Sequence, residues 1–163
     1  LQPDVRSYSS AIWACAKKGN WQSAVSLLDD MQRIGVIPNE ITYNAAITAC
    51  GNAGKWRKAL DIFNTMDTNG VKPNVFIYNA LISSLGKGGK WEYALKAFRS
   101  MEENGVKPNI INYTTAISAS AKAGEWKTSL ELLKEVRERM TSPNLIAYNA
   151  AMHACATSGR WRE

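Results

Sequence analysis

The chain is poor in the residues from which most active sites and metal centres are built. It has one histidine, His153, with no Cys, Asp or Glu clustered around it, so no metal site is read there. No serine or cysteine has an evident His/Asp set with which to form a nucleophilic triad. The glycine-rich run Gly86-Lys87-Gly88-Gly89-Lys90 lacks phosphate-loop spacing and follows a helical pattern rather than a strand, so it reads as an interhelical turn. Glu131, Glu135 and Glu138 fall at i, i+4 and i+7 among Lys127, Lys134 and Arg137, which reads as a solvated helix face. No apolar run reaches the roughly 18 residues of a membrane span, and no signal or transit peptide is visible. Nothing alternates with period two, so no sheet is expected. An enzyme reading has no residues to rest on within this segment, no cofactor is implied, and a catalytic domain elsewhere in a longer parent chain is not addressed by it.

What is present is periodic. All five prolines (Pro3, Pro38, Pro73, Pro108, Pro143) are 35 residues apart. The same step governs Tyr8, Tyr43, Tyr78, Tyr113 and Tyr148, the glycines from Gly19 to Gly159, and the tryptophans Trp21, Trp56, Trp91, Trp126 and Trp161. Four series in one register mark stacked units, none able to bury its apolar face alone. In the unit beginning at Val75, Tyr78, Leu81, Ile82 and Leu85 share one helical face, and Trp91, Ala94, Leu95, Phe98 and Met101 form a second stripe. Lys87 to Lys90 break the first helix, Asn104-Gly105 stops the second, and Pro108-Asn109 turns into the next unit. Each repeat is therefore two antiparallel helices of roughly 12 to 14 residues. Small residues at one position of the second helix (Ala24, Ala59, Ala94, Ser129) permit close helix pairing, and the tryptophans that open this helix are expected to pack between repeats.

The repeats run over about 5–39, 40–74, 75–109 and 110–144, with a partial unit at 145–163 and residues 1–4 as the tail of a preceding one. Neither end reads as a polar cap, so a segment of a longer array is expected, with ends open to self-association. Cys15, Cys50 and Cys155 share one repeat position on the buried face of the first helix, about 10 Å apart in successive repeats, too far for a disulfide and suited to buried thiols. Net charge is +6, from 20 basic and 14 acidic residues, which permits a polyanionic partner without requiring one.

Tetratricopeptide repeats differ in period, 34 against 35, and carry their tryptophan in the first helix. The run Tyr78-Asn79, Gly86-Lys87-Gly88-Gly89, Ala94, Met101, Gly105 and Pro108-Asn109 instead resembles the plain 35-residue pentatricopeptide repeat, and the resemblance covers the whole chain. Departures are the tryptophan opening the second helix, and Val136 and Met140 where the fourth repeat should have Met and Gly. The resemblance implies an all-α, right-handed α-solenoid superhelix. It implies single-stranded RNA as partner, one base per repeat, in a plastid or mitochondrion, the chloroplast favoured on family grounds. By the family pattern, base recognition falls to Ser9 with Asn39, Asn44 with Asn74, Asn79 with Asn109, Thr114 with Asn144, and Asn149 of a fifth pair. Arg6, Ile41, Phe76, Ile111 and Ile146 would sandwich the bases, and Lys17, Lys87 and Lys122 would meet phosphates. The implied site is 5′-A-Y-Y-A-Y-3′. Two bland alternatives stand beside it: asparagines that merely cap helices, and lysines that are merely solvated. A protein-interaction scaffold, with a peptide on the concave face, is the alternative function.

Overall fold

The computed structural model describes residues 4–139 and 145–159. Within them lie nine helices and no strand: α1 (Val5–Lys17), α2 (Trp21–Arg33), α3 (Glu40–Asn52), α4 (Trp56–Thr68), α5 (Val75–Lys87), α6 (Trp91–Glu103), α7 (Ile110–Lys122), α8 (Trp126–Arg139) and α9 (Leu145–Thr157). The chain is an all-α repeat solenoid. The helices are 13 residues long except α8, with 14, as the spacing required. The glycine-rich run is split: Gly86 and Lys87 complete α5, and only Gly88 to Lys90 turn.

Helix ends follow local chemistry. Asn39, Asn74 and Asn109 cap α3, α5 and α7, each side chain accepting backbone N–H bonds from the first turn. At the other end Gly89 takes φ 68°, and the Lys90 and Gly89 amides donate back to Leu85 O and Gly86 O. That geometry closes the carbonyl end of α5 and needs a residue tolerant of left-handed backbone.

Two layers result. The first helices stack in the order α1, α3, α5, α7, α9, while each second helix packs on the first helix of its own repeat and of the next. Among the described residues no two second helices bring their backbones within 8 Å, Cα to Cα. The outer layer is thus splayed and the inner one tight, so the first helices line the concave side. Gly51 and Gly86 set that tightness: a β-carbon would lie 2.9 Å from Ser84 Cβ at the first and 2.8 Å from Ala119 Cβ at the second. Close approach of first helices therefore depends on missing side chains.

The layers are joined by the periodic aromatics. Tyr43, Tyr78 and Tyr113 are fully buried, and Phe63 and Phe98 meet the next repeat's tyrosine edge-on, at 5.2 Å to Tyr78 and 4.8 Å to Tyr113. Tyr43 Oη accepts from Asn69 Nδ2 (2.8 Å) and Tyr78 Oη from Asn104 Nδ2 (3.0 Å), which ties the end of each second helix to the start of its partner. Ala24, Ala59, Ala94 and Ser129 are buried between paired helices as expected. Trp21, Trp56, Trp91 and Trp126 are half-buried rather than fully enclosed. Trp56 shows their use: its indole lies against Gly88 of the next repeat, with Lys90 Nζ 5.4 Å from the ring centre. Cys50 is buried, which pushes its thiol up to about 11, and Cys155 is buried too, whereas Cys15 is only half-buried. Glu135 does not belong to a merely solvated face. It reaches the previous repeat and accepts two bonds from Arg99, at 2.7 and 2.5 Å.

Candidate nucleic-acid interface

The expected sandwich and recognition positions come together on one edge, formed by the N-terminal turns of the first helices. Ile41, Phe76, Ile111 and Ile146 stand in water there, 56%, 69%, 53% and 63% exposed. Arg6 is exposed at the same position of α1. Three residues on, and hence on the same helical face, are Ser9, Asn44, Asn79, Thr114 and Asn149. Asn44, Asn79 and Thr114 are half-buried and Asn149 is exposed.

Ser9 differs. It is 7% exposed, its hydroxyl donates to Val5 O (2.7 Å), and it lies 2.9 Å from Thr42 Oγ1. Thr42 Oγ1 in turn lies 2.9 Å from Asn39 Oδ1, so Thr42, with one hydrogen to give to either, stands between the two members of the first expected pair. Thr114 Oγ1 likewise donates back to Ile110 O (2.7 Å). Both short hydroxyl residues therefore leave volume at the edge more than they project into it.

The turn asparagines Asn39, Asn74 and Asn109 cap their helices, and that constrains what else they can do. Asn74 Oδ1 accepts from the Phe76 and Ile77 amides, and Asn109 Oδ1 from those of Ile111 and Asn112. With the oxygen committed, only the Nδ2 hydrogens remain for a ligand, so these residues offer donors. Asn74 Nδ2 is further held by Glu40 Oε2 at 2.8 Å. Asn144 lies outside the described residues.

From each recognition residue a row continues along the first helix at i+4 and i+8: Asn79, Ser83 and Lys87 on α5, and Thr114, Ser118 and Lys122 on α7. Lys17, Lys87 and Lys122 are exposed at the far end of these rows, about 12 Å from the recognition residue at 1.5 Å per residue. Lys87 Nζ is not simply solvated: it donates to Asn52 Oδ1 (2.9 Å), and Asn52 donates to Ala16 O (3.3 Å). A groove of about 240 Å³ between α3 and α5 gathers Asn44, Asn79, Phe76, Asn52 and Lys87. Ser84 lines it too, with a buried hydroxyl lacking a hydrogen-bond partner. The middle residues of the rows (Trp13, Thr48, Ser83, Ser118 and His153) were not expected at this face. Their i+4 spacing from the recognition residue was the available signal.

Among the described residues no group of three or more His, Cys, Asp or Glu could hold a metal ion, and no helix is long and apolar enough to cross a membrane.

No curated protein sequence matches the chain. The pentatricopeptide repeat protein PPR10 from maize matches in structure with a TM-score of 0.80 at 30% identity, over 98% of this chain and 23% of that one. PPR10 in complex with an 18-nt psaJ RNA element matches with a TM-score of 0.85 at 24% identity, over 99% of this chain and 24% of that one. The PPR domain of Arabidopsis thaliana protein-only RNase P 1, in complex with tRNA, matches at 0.77 and 21% identity, over 93% of this chain and 81% of that domain. The chain thus spans less than a quarter of PPR10. A family model of the pentatricopeptide repeat domain matches residues 1–53, 26–88 and 96–158, and a single-repeat model matches 76–106. Matched over most of its length, the chain belongs to the pentatricopeptide repeat family.

Proposed function

We propose that this chain binds single-stranded RNA with one base per repeat, along the edge formed by the first turns of α1, α3, α5, α7 and α9. The observation that carries the reading is the row Ile41, Phe76, Ile111 and Ile146. Four large apolar side chains held in water, one per repeat, serve no packing need and suit the flat faces of bases. Such stacking contributes about 1–3 kcal/mol per base in single-strand binders. PPR10 and the PPR domain of protein-only RNase P 1 are each seen with RNA, which supports the same partner class here.

The letters follow the pairs. Asn44 with Asn74 and Asn79 with Asn109 offer amides to a pyrimidine edge. Ser9 with Asn39 and Thr114 with Asn144 have a short first member, which leaves room for adenine. The proposed site is 5′-A-Y-Y-A-Y-3′, N-terminal repeat at the 5′ end, with Asn149 on the last letter. Lys17, Lys87 and Lys122 meet phosphates, and three such contacts give a logarithmic salt slope of about −2, taking about −0.7 per phosphate. In the whole protein such a segment would select a transcript for stabilisation, processing, splicing or translation in a plastid or mitochondrion.

Fluorescence anisotropy with a short unstructured RNA carrying ACCAC, at two salt concentrations, tests this. Thr114→Asn should move the preference at the fourth letter from A to U. A preference that stays put, or equal binding of every RNA with only a salt effect, would sink the base-reading proposal and leave the concave face to a peptide.

A further inference from the structure

Asn44 and Asn79 occupy equivalent positions and, on the reading above, take the same letter. Their neighbours differ. Thr115 of α7 places its hydroxyl 2.7 Å from Asn79 Oδ1, across the boundary between the third and fourth repeats. The equivalent neighbour of Asn44 is Ala80, which lines the same groove and has no polar side-chain atom. Ala45 and Ala150 stand at this position beside Ser9 and Thr114, and Ser10 fills it in the first repeat, so among the described residues Asn79 is the recognition asparagine with a hydroxyl facing it.

A hydroxyl has one hydrogen, and Thr115 Oγ1 also lies 2.8 Å from Ile111 O. While that hydrogen serves Asn79, the amide oxygen is turned toward α7 with one lone pair engaged, and the Nδ2 hydrogens are the end turned to a ligand. Asn44 has no such constraint and can turn either end outward. The difference matters for a pyrimidine. Cytosine presents two adjacent acceptors, N3 and O2, whereas uracil has an N3–H donor between its two carbonyls. An amide fixed as donor meets the first edge and is opposed at the centre of the second. An amide free to rotate serves both.

We propose that Thr115 is a specificity-determining positioning residue: it fixes Asn79 as a donor, so the third repeat selects cytosine over uracil while the second accepts either. The proposal rests on Asn79 reading a base.

The test measures affinities for RNAs carrying ACCAC, ACUAC and AUCAC with the whole chain. The wild type should prefer C over U at the third letter by about tenfold, the scale of one hydrogen bond, and by under about twofold at the second. Thr115→Val should bring the third-letter ratio to within about twofold and leave the second unchanged, and Thr115→Ser should keep the wild-type ratio. Comparing variants at one repeat removes the separate influence of Glu40 on Asn74. Should the valine variant lose its fold, Ala80→Thr supplies the converse arm, creating a cytosine preference at the second letter. An unchanged third-letter ratio in Thr115→Val, a wild-type preference for U there, or no gain in Ala80→Thr overturns the proposal for Thr115. Loss of all letter dependence, at the second, third and fourth positions alike, overturns base reading itself, so the two failures are distinguishable.

Discussion

The inner and outer layers are made from helices of nearly equal length but opposite design. Eight of the residues of α3 are buried and seven of α5, against three each in α4 and α6. Inner helices are flanked by inner helices on both sides and covered from outside, so little of their surface is left except one edge and one face. Outer helices keep a single apolar stripe and a broad wet face. The tight layer has no freedom to adapt, and its exposed edge is held at fixed spacing by its own packing. The loose layer tolerates charge and sequence change. A face that must present one contact per repeat in register belongs on the tight layer, which is where the exposed apolar row lies.

The largest effect should come from breaking the joint between layers. Phe98 is 1% exposed and meets the Tyr113 ring at 4.8 Å. Phe98→Ala should cost about 3–5 kcal/mol in chemical denaturation, as truncation of a buried aromatic does. The same truncation at Phe76, 69% exposed, should stay within about 0.5 kcal/mol. Equal costs at the two sites would mean that Phe76 is structural, and would remove the ground for a ligand-facing row.

Next in size is the inner contact itself. Gly86→Val places a β-carbon 2.8 Å from Ala119 Cβ, closer than two carbons can sit, so α5 and α7 must separate. Overpacking of this kind costs about 1–3 kcal/mol. It should also weaken RNA binding beyond the fourth letter's share, because the spacing between Phe76 and Ile111 changes with the gap. A valine variant of wild-type stability would show that the inner layer gives way as readily as the outer one.

Much of this was legible from the chain because it is local or periodic. The 35-residue step gave the repeats, the spacing of Tyr78, Leu81, Ile82 and Leu85 gave the buried face, and Asn74 and Asn109 announced helix starts by their capping chemistry. What escaped was contact between repeats. The buried state of Ser9 depends on Thr42, the amide of Asn79 on Thr115, and the carboxylate of Glu135 on Arg99. Those partners lie 33 or 36 residues apart, and no helical period points to them. The repeat period does, because stacking sets each side chain beside residues about one repeat away. The roles of Gly51 and Gly86 were hidden for the same reason. Within one helix a glycine reads as weakness, and only the neighbouring helix shows it as the place of closest approach.

The smallest expected effect lies on the outer layer, and it is the one that bounds the comparison. Arg99 and Glu135 form a two-bond ion pair between α6 and α8, with Arg139 and Glu102 paired beside them. The bond to Glu135 raises the Arg99 guanidinium above its ordinary range, burial opposing it, so the pair favours the charged state. Yet the side chains are 44% and 24% exposed, and water and salt screen what attraction remains. Glu135→Gln keeps the shape and removes the charge. It should cost under about 1 kcal/mol, and the cost should shrink further in high salt, as for other exposed pairs. The contrast with Phe98→Ala is then at least threefold between contacts made by two adjacent residues of α6, Phe98 to α7 and Arg99 to α8. A loss above about 2 kcal/mol, insensitive to salt, would instead mean that charge rather than the buried aromatics holds the second helices in place, and the outer layer would have to be counted as rigid as the inner one.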